Sequence, residues 1–321
     1  MPQRRYEETE LHKGGMDGMK RIKKSKKKMT ASDIIFNVIC YIIYSILIIV
    51  FAYPFYYLFI CTISDNNLVN LNKVILYPIG VHFGNYVDVL RLDKIRTAAL
   101  ISFVRTLLGT GLSLVVTSYM AYFFSKEGMW HRKLFYRFVV ATMYFTAGMI
   151  PDYLNIKMLG LMNNFWVYII PGCFSVYNMI LVKTYMESLP PALEESAEID
   201  GAGYLTRYFK IVLPLSKPIL ATIGLFAAVS HWNQMFDTKM YITNSKIFTL
   251  QFVLYEYYQQ VKSIQETLEQ MGGSAAQFSA AVSSLSVRLT MTAVTVIPIM
   301  CVYPFIQKYY MKGIMVGAVK G

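Results

Sequence analysis

Residues 188–218 read SLPPALEESAEIDGAGYLTRYFKIVLPLSKP, a polar interval set between two strongly apolar runs. Pro190 and Pro191 fix φ at a point where a helix can begin without the missing N–H, and Glu194 and Glu195 place negative charge against the positive end of that helix. A helix is therefore expected from Pro191 to Asp200. At about 100° per residue, Leu193, Ser196, Ala197 and Asp200 share one face, while Glu194, Glu195 and Glu198 share another. Gly201 and Gly203 supply backbone freedom for a turn. A second short helix follows, with Leu205, Tyr208, Phe209 and Val212 at spacings of three and four, and Pro214 is expected to close it. The unit reads as helix, turn, helix.

The surrounding chain is that of a membrane protein. Of 321 residues, 55% are hydrophobic and only 16% charged, where about a quarter charged is usual for soluble proteins. A net charge of +12 raises nucleic acid as a partner, but the basic residues are not interleaved with a stacking platform, so no nucleic-acid role is assigned. Cys40, Cys61, Cys173 and Cys301 stand singly in apolar segments without a nearby histidine, and read as buried hydrophobes with no metal site.

Residues 1–33 are polar and hold seven basic residues within positions 20–28, which reads as a disordered basic tail in the cytoplasm, able also to meet membrane lipid. Residues 34–64 carry no charge, too long a run for a signal-peptide core, and are expected to form an uncleaved first span. Further spans are expected at 97–125, interrupted only by Arg105, at 165–182, 218–236 and 289–307, and at 138–158, where Gly148 to Pro151 breaks the run. With the N-terminus inside, 21 Lys and Arg fall on the cytoplasmic side and nine outside. That bias puts both termini, the tail at 309–321 and residues 188–218 in the cytoplasm, and the loops at 65–96 and 237–288 outside. In the second outer loop, 247–261 is amphipathic and 271–279 is loose; the loop is long enough to touch an external protein.

The chemistry that is missing narrows the function. There is no G-x-x-x-x-G-K-[ST] loop to cradle nucleotide phosphates, so ATP would be bound by another subunit. No Asp or Glu lies in the uncharged cores, which counts against a proton-coupled carrier, although a secondary sugar carrier stays as the alternative. Paired carboxylates and triads are also missing, which counts against a membrane-bound glycan-processing enzyme. Arg105 is the one intramembrane charge and either lines a pore or snorkels to the outer interface. Asn163, Asn164, Asn178, Trp232 and Asn233 suit a sugar pathway by hydrogen bonding and stacking, and suit helix contacts and interfacial anchoring equally.

The register Glu195-Ser196-Ala197, three residues, Gly201, nine residues, then Ile211-Val212-Leu213-Pro214 resembles the EAA loop of ATP-binding-cassette (ABC) importer permeases, with Ser196 in place of the first alanine. IDGA at 199–202, LPLSKP at 213–218 and HWN at 231–233 are similar to the maltose-transporter type. The stretches at 148–151 and 159–161 and the ending at 312–321 are similar to permeases for complex polysaccharide fragments. The resemblance covers residues 97–321. It implies an all-α type I importer permease with six transmembrane helices in the bacterial plasma membrane, carrying sugars or oligosaccharides. It further implies a homologous permease subunit as pore partner, a cytoplasmic ATPase dimer that holds ATP and Mg, and an external sugar-binding protein or lipoprotein. By carry-over, Glu195, Ser196, Ala197, Asp200, Gly201, Ile211, Leu213 and Pro214 form the ATPase-coupling element, with Glu195 at the contact and Gly201 permitting the turn. The tail at 311–321 resembles tails that also touch the ATPase.

Overall fold

A computed structural model describes residues 31–270 and 285–318. The basic tail and the loose outer segment at 271–279 lie outside the described residues. The chain falls into two units, residues 1–55 and 56–321. All described elements are helical.

Helix α1, Ala31–Thr62, is uncharged after Asp33, and its side chains from Ile42 to Phe55 are exposed and largely apolar, as a surface made for lipid or another apolar partner requires. Past Tyr56, the end of α1 joins the second unit, where Ile60 and Cys61 pack with Val69 and Val74. Two short helices follow, α2 at Asn66–Asn70 and α3 at Gly84–Arg91. Asp65 caps α2 by accepting from the Asn67 and Leu68 amides at 2.9 and 3.2 Å.

The organising element is α4, Asp93–Ser125, 33 residues without a proline. Its buried residues Ala98, Ser102, Arg105, Gly109, Ser113, Thr117 and Ala121 recur every three or four positions and are small except for Arg105. Such a stripe lets neighbouring backbones approach closely, which matters where lipid removes the hydrophobic drive for helix association. Helix α4 packs on α7, Val176–Glu187, and on α11, Lys217–Asn233; α11 also packs on α14, Leu285–Ala318. A Cβ on Gly109 would sit 2.6 Å from the His231 ring, so α4 and α11 meet there only because Gly109 has none. One core gathers at the Asp93 end of α4, around Ile95, Tyr168 and Leu250; another at the Ser125 end, around Tyr122, Met179 and Tyr208.

Two expected spans are discontinuous. The run at 165–182 holds only a short 3-10 turn, Phe165–Tyr168, before the backbone turns irregular and α7 begins under a Ser175 cap. Pro171, which has no N–H, and Gly172 interrupt it. The run at 138–158 splits into α5, Arg132–Thr142, and α6, Met149–Met158; Gly148 takes φ +94° between them, and Pro151 falls in the first turn of α6. By length and composition α1 and α4 can cross a membrane, as can a bent pair, Tyr204–Leu215 with Lys217–Asn233.

Residues 188–218 fold as helix, turn, helix, with α8 at Ala192–Ile199 under a Pro191 cap. Gly201 adopts φ +79°, and the Ala202 amide donates back to the Ala197 carbonyl at 2.8 Å, closing α8 in a Schellman turn. Then come α9, Tyr204–Arg207, a π turn at Tyr208–Val212 and α10, Leu213–Leu215. Pro214 does not close the second helix as expected. It sits in the first turn of α10, where a missing N–H is tolerated. The break falls at Ser216, where the axis bends by 79° into α11. After α11 come α12, Phe236–Tyr241, a 3-10 turn at Ser245–Ile247, and α13, Leu250–Gln270, longer than the amphipathic stretch the sequence suggests.

Candidate functional site

Arg105 stands on α4 and is 1% exposed. Its Nη2 donates to Asp237 Oδ2 at 2.5 Å and its Nη1 to the Gln234 carbonyl at 2.8 Å, the residue that ends α11. The guanidinium carbon lies 4.6 Å from the centre of the Tyr168 ring. Asp237 Oδ1 accepts from Gln234 Nε2 at 3.2 Å. The one charge in the 97–125 run is therefore matched by a carboxylate just past α11, and the buried guanidinium is not a free positive charge.

These groups line part of a cavity of about 800 Å³. Side chains of α4, α6, α7, α11 and α12 line it together with the irregular backbone at Ile170, Pro171 and Gly172. Non-helical backbone at such a position is sustainable because it borders a cavity and not hydrocarbon. Asp152, Asn155, Asn178, Ser230 and Gln234 offer hydrogen bonds, while Tyr168, Tyr177, Phe226 and Tyr241 offer ring faces. Burial, with the Asp237 and Asp152 carboxylates adding to it, holds the Tyr241 phenol above its usual range, so it stays neutral and able to donate.

The candidates for a sugar pathway separate. Arg105 and Asn178 border the cavity; Trp232 and Asn233 are not among its lining residues. Trp232 Nε1 donates to the Thr295 carbonyl at 3.0 Å, which ties α11 to α14, and Asn233 Oδ1 accepts from Gln251 Nε2 at 3.0 Å. Asn163, at φ +55°, accepts from the Thr243 and Asn244 amides at 3.1 and 2.8 Å, and Asn164 caps the 3-10 turn at Phe165–Tyr168, so the side-chain oxygens of both are taken by backbone amides.

On α8 the three glutamates do not act as one face. Glu194 turns inward to Lys126 and Tyr122, and Glu198 pairs with Arg207 at 2.5 Å, whereas Glu195 is exposed. Ser196, Asp200 and Gly201 are also exposed, Ile199 is 87% exposed, and Ala197 is half-buried. Of the later motif residues, Pro214 is exposed and Ile211 and Leu213 are half-buried, Leu213 packing against the core at the Ser125 end of α4.

Comparison with known proteins now decides the family. The polygalacturonan/rhamnogalacturonan transport system permease protein YtcP of Bacillus subtilis is 35% identical over 268 residues, covering 84% of this chain and 92% of that protein. Protein LplC of the same species is 38% identical over 221 residues, 69% of this chain and 73% of its own length. This chain belongs to the carbohydrate ABC transporter permeases. A solved structure of a bacterial ABC transporter involved in the import of the acidic polysaccharide alginate matches with a TM-score of 0.76 and 30% identity, over 88% of this chain and 99% of that one. No protein-family model matches.

The permease thus carries two polar features on one helical frame: a cavity against the middle of α4, at Arg105 and Ser113, and an exposed helix near its Ser125 end. Asp237, His231 and Asp152 are cavity residues that sequence reasoning passed over. His231 stands in the HWN stretch at 231–233, of which the sequence reading takes only Trp232 and Asn233 as candidates. Asp237 falls just past the uncharged run at 218–236, and Asp152 lies within the expected span at 138–158 where its uncharged part ends; the fold brings Asp237 onto Arg105 and Asp152 to the same cavity.

Proposed function

We infer that this permease forms half of the pore of an ATP-driven importer and passes a sugar or oligosaccharide, such as a polysaccharide fragment, across the bacterial plasma membrane. Its six spans include the broken segments at 138–158 and 165–182, with both termini in the cytoplasm, and its pore partner is a homologous permease. ATP and Mg are held by a separate ATPase dimer, and an external binding protein delivers the sugar. The coupling element is residues 188–218, with Glu195 and Ile199 on the docking face and Gly201 setting the turn. The cavity beside Arg105, rich in amide, hydroxyl and ring groups, is the sugar path.

The observation that carries this reading is the exposure of α8, a short helix near the Ser125 end of α4 whose Glu195, Ser196 and Ile199 meet none of the core, in a chain whose relatives are ABC transport permeases. The test is a mild-detergent pull-down of the tagged permease from its native membrane, with Glu195→Lys and Gly201→Asp beside the parent. A second permease and an ATPase should co-purify with the parent, and the ATPase should be lost from both variants while they remain in the membrane. A chain that emerges alone and still moves sugar without ATP overturns the reading.

A further inference from the structure

We propose that Glu194 and Lys126 are positioning residues: their ion pair fastens the docking helix α8 to the end of α4, making α4 the element that carries a displacement of α8 to the cavity. This rests on the coupling reading above. Glu194 Oε1 accepts from Lys126 Nζ, and Glu194 Oε2 from the Tyr122 hydroxyl at 3.3 Å. Lys126 Nζ also stands 4.5 Å over the Tyr122 ring. Both side chains are mostly withdrawn from solvent, 24% and 20% exposed, which separates the pair from freely solvated surface pairs of little consequence.

Position adds to the pairing. Lys126 is the C-terminal cap of α4 and Glu194 lies in the first turn of α8. Each charge therefore complements the dipole of its own helix while facing the opposite charge, and reversal of either one offends both at once.

Two further contacts keep the attachment on one line of α4. Tyr208, in the π turn, shares a 2.7 Å hydroxyl contact with Ser118, and the Tyr204 carbonyl lies 3.3 Å from the Tyr122 hydroxyl. Ser118, Tyr122 and Lys126 are four residues apart, one above the other on a single face. The opposite end of α8 is tied to α9 through Glu198 and Arg207, the Arg207 guanidinium resting 4.5 Å over the Tyr204 ring. Helix α4 then runs unbroken by proline from Lys126 to Arg105 and Ser113, both at the cavity. In contrast, the direct chain route from α8 to α11 passes the 79° break at Ser216.

The test uses the assembled transporter in vesicles, with Cys40, Cys61, Cys173 and Cys301 replaced and a reporter Ser230→Cys in the cavity. A membrane-impermeant maleimide measures reporter labelling with and without ATP and vanadate. Glu194→Lys and Lys126→Glu should each retain the ATPase in a pull-down yet shrink the nucleotide-dependent change in labelling by about fivefold or more. The charge-swapped double variant and Lys126→Arg should restore it, which a variant that merely misfolds would not allow. Charge-reversed single variants, Glu194→Lys or Lys126→Glu, with a parent-like nucleotide response overturn the pairing and leave the coupling reading standing. A parent chain that holds no ATPase overturns the coupling reading and the pairing with it.

Discussion

Gly109 and His231 form a close seat between α4 and α11: a methyl group on Gly109 would lie 2.6 Å from Cε1 and Nε2 of the ring. The contact lies beside Arg105 and on the cavity wall, so packing and the polar site share one piece of structure.

Gly109→Ala is therefore expected to force the two helices apart at a cost of about 1–3 kcal/mol. Pairing it with His231→Ala should recover much of that loss by removing the ring the methyl strikes. Thermal unfolding in detergent of the two single variants and the double variant checks this; additive effects would show that the two residues do not meet.

Breaking the Arg105–Asp237 pair strands a charge in a low-dielectric wall. Asp237→Ala should destabilise by roughly 3–5 kcal/mol, while replacing both residues by apolar ones of similar size should cost much less. Denaturant or thermal midpoints of Asp237→Ala, Arg105→Met and Arg105→Met with Asp237→Leu give the comparison. A double variant as unstable as Asp237→Ala would contradict the pairing.

Ile199 is 87% exposed, so Ile199→Asp should leave the fold within about 0.5 kcal/mol of the parent. If Ile199 is an apolar anchor for the ATPase, the same change should weaken ATPase retention by about 1 kcal/mol or more. Equilibrium binding of the detergent-solubilised subunits reads this, and unchanged binding would remove Ile199 from the docking face.

Asn163→Ala removes the acceptor of the Thr243 and Asn244 amides and also strains a residue at φ +55°. Asn163→Gly removes the same bonds without the strain, so it should be the less damaging variant; the hydrogen bonds lost in both should cost about 1 kcal/mol each. Local hydrogen exchange at Thr243 and Asn244 should rise in both.

The helix-turn-helix at 188–218 was legible because its information is local. Pro191, Gly201 and the spacing of the glutamates fix a short helix and its left-handed end within a dozen residues. What the same reading missed there depends on neighbours: Glu194 and Glu195 are adjacent in sequence, and only the approach of Lys126 and Tyr122 distinguishes them. The broken spans were half legible. Gly148 marked one interruption, whereas the uncharged run at 165–182 hid another, because apolar length cannot tell a membrane helix from apolar backbone bordering a cavity. The small-residue stripe from Ala98 to Ala121 was visible in the sequence, at the spacing that marks a close helix contact, but hydropathy averages such residues away. Asp237 was unreadable as Arg105's partner, since 132 residues separate them.

The exposed side of residues 188–218 has a consequence for biogenesis. Ile199, Tyr204 and Leu205 are each more than half exposed, and they lie in the stretch assigned here to the cytoplasm. A permease made in excess of its ATPase would display this greasy patch to chaperones and proteases, so its cellular lifetime should follow the supply of its partner. Subunit ratios in the finished transporter would then be enforced by turnover of orphans, without any need for matched rates of synthesis.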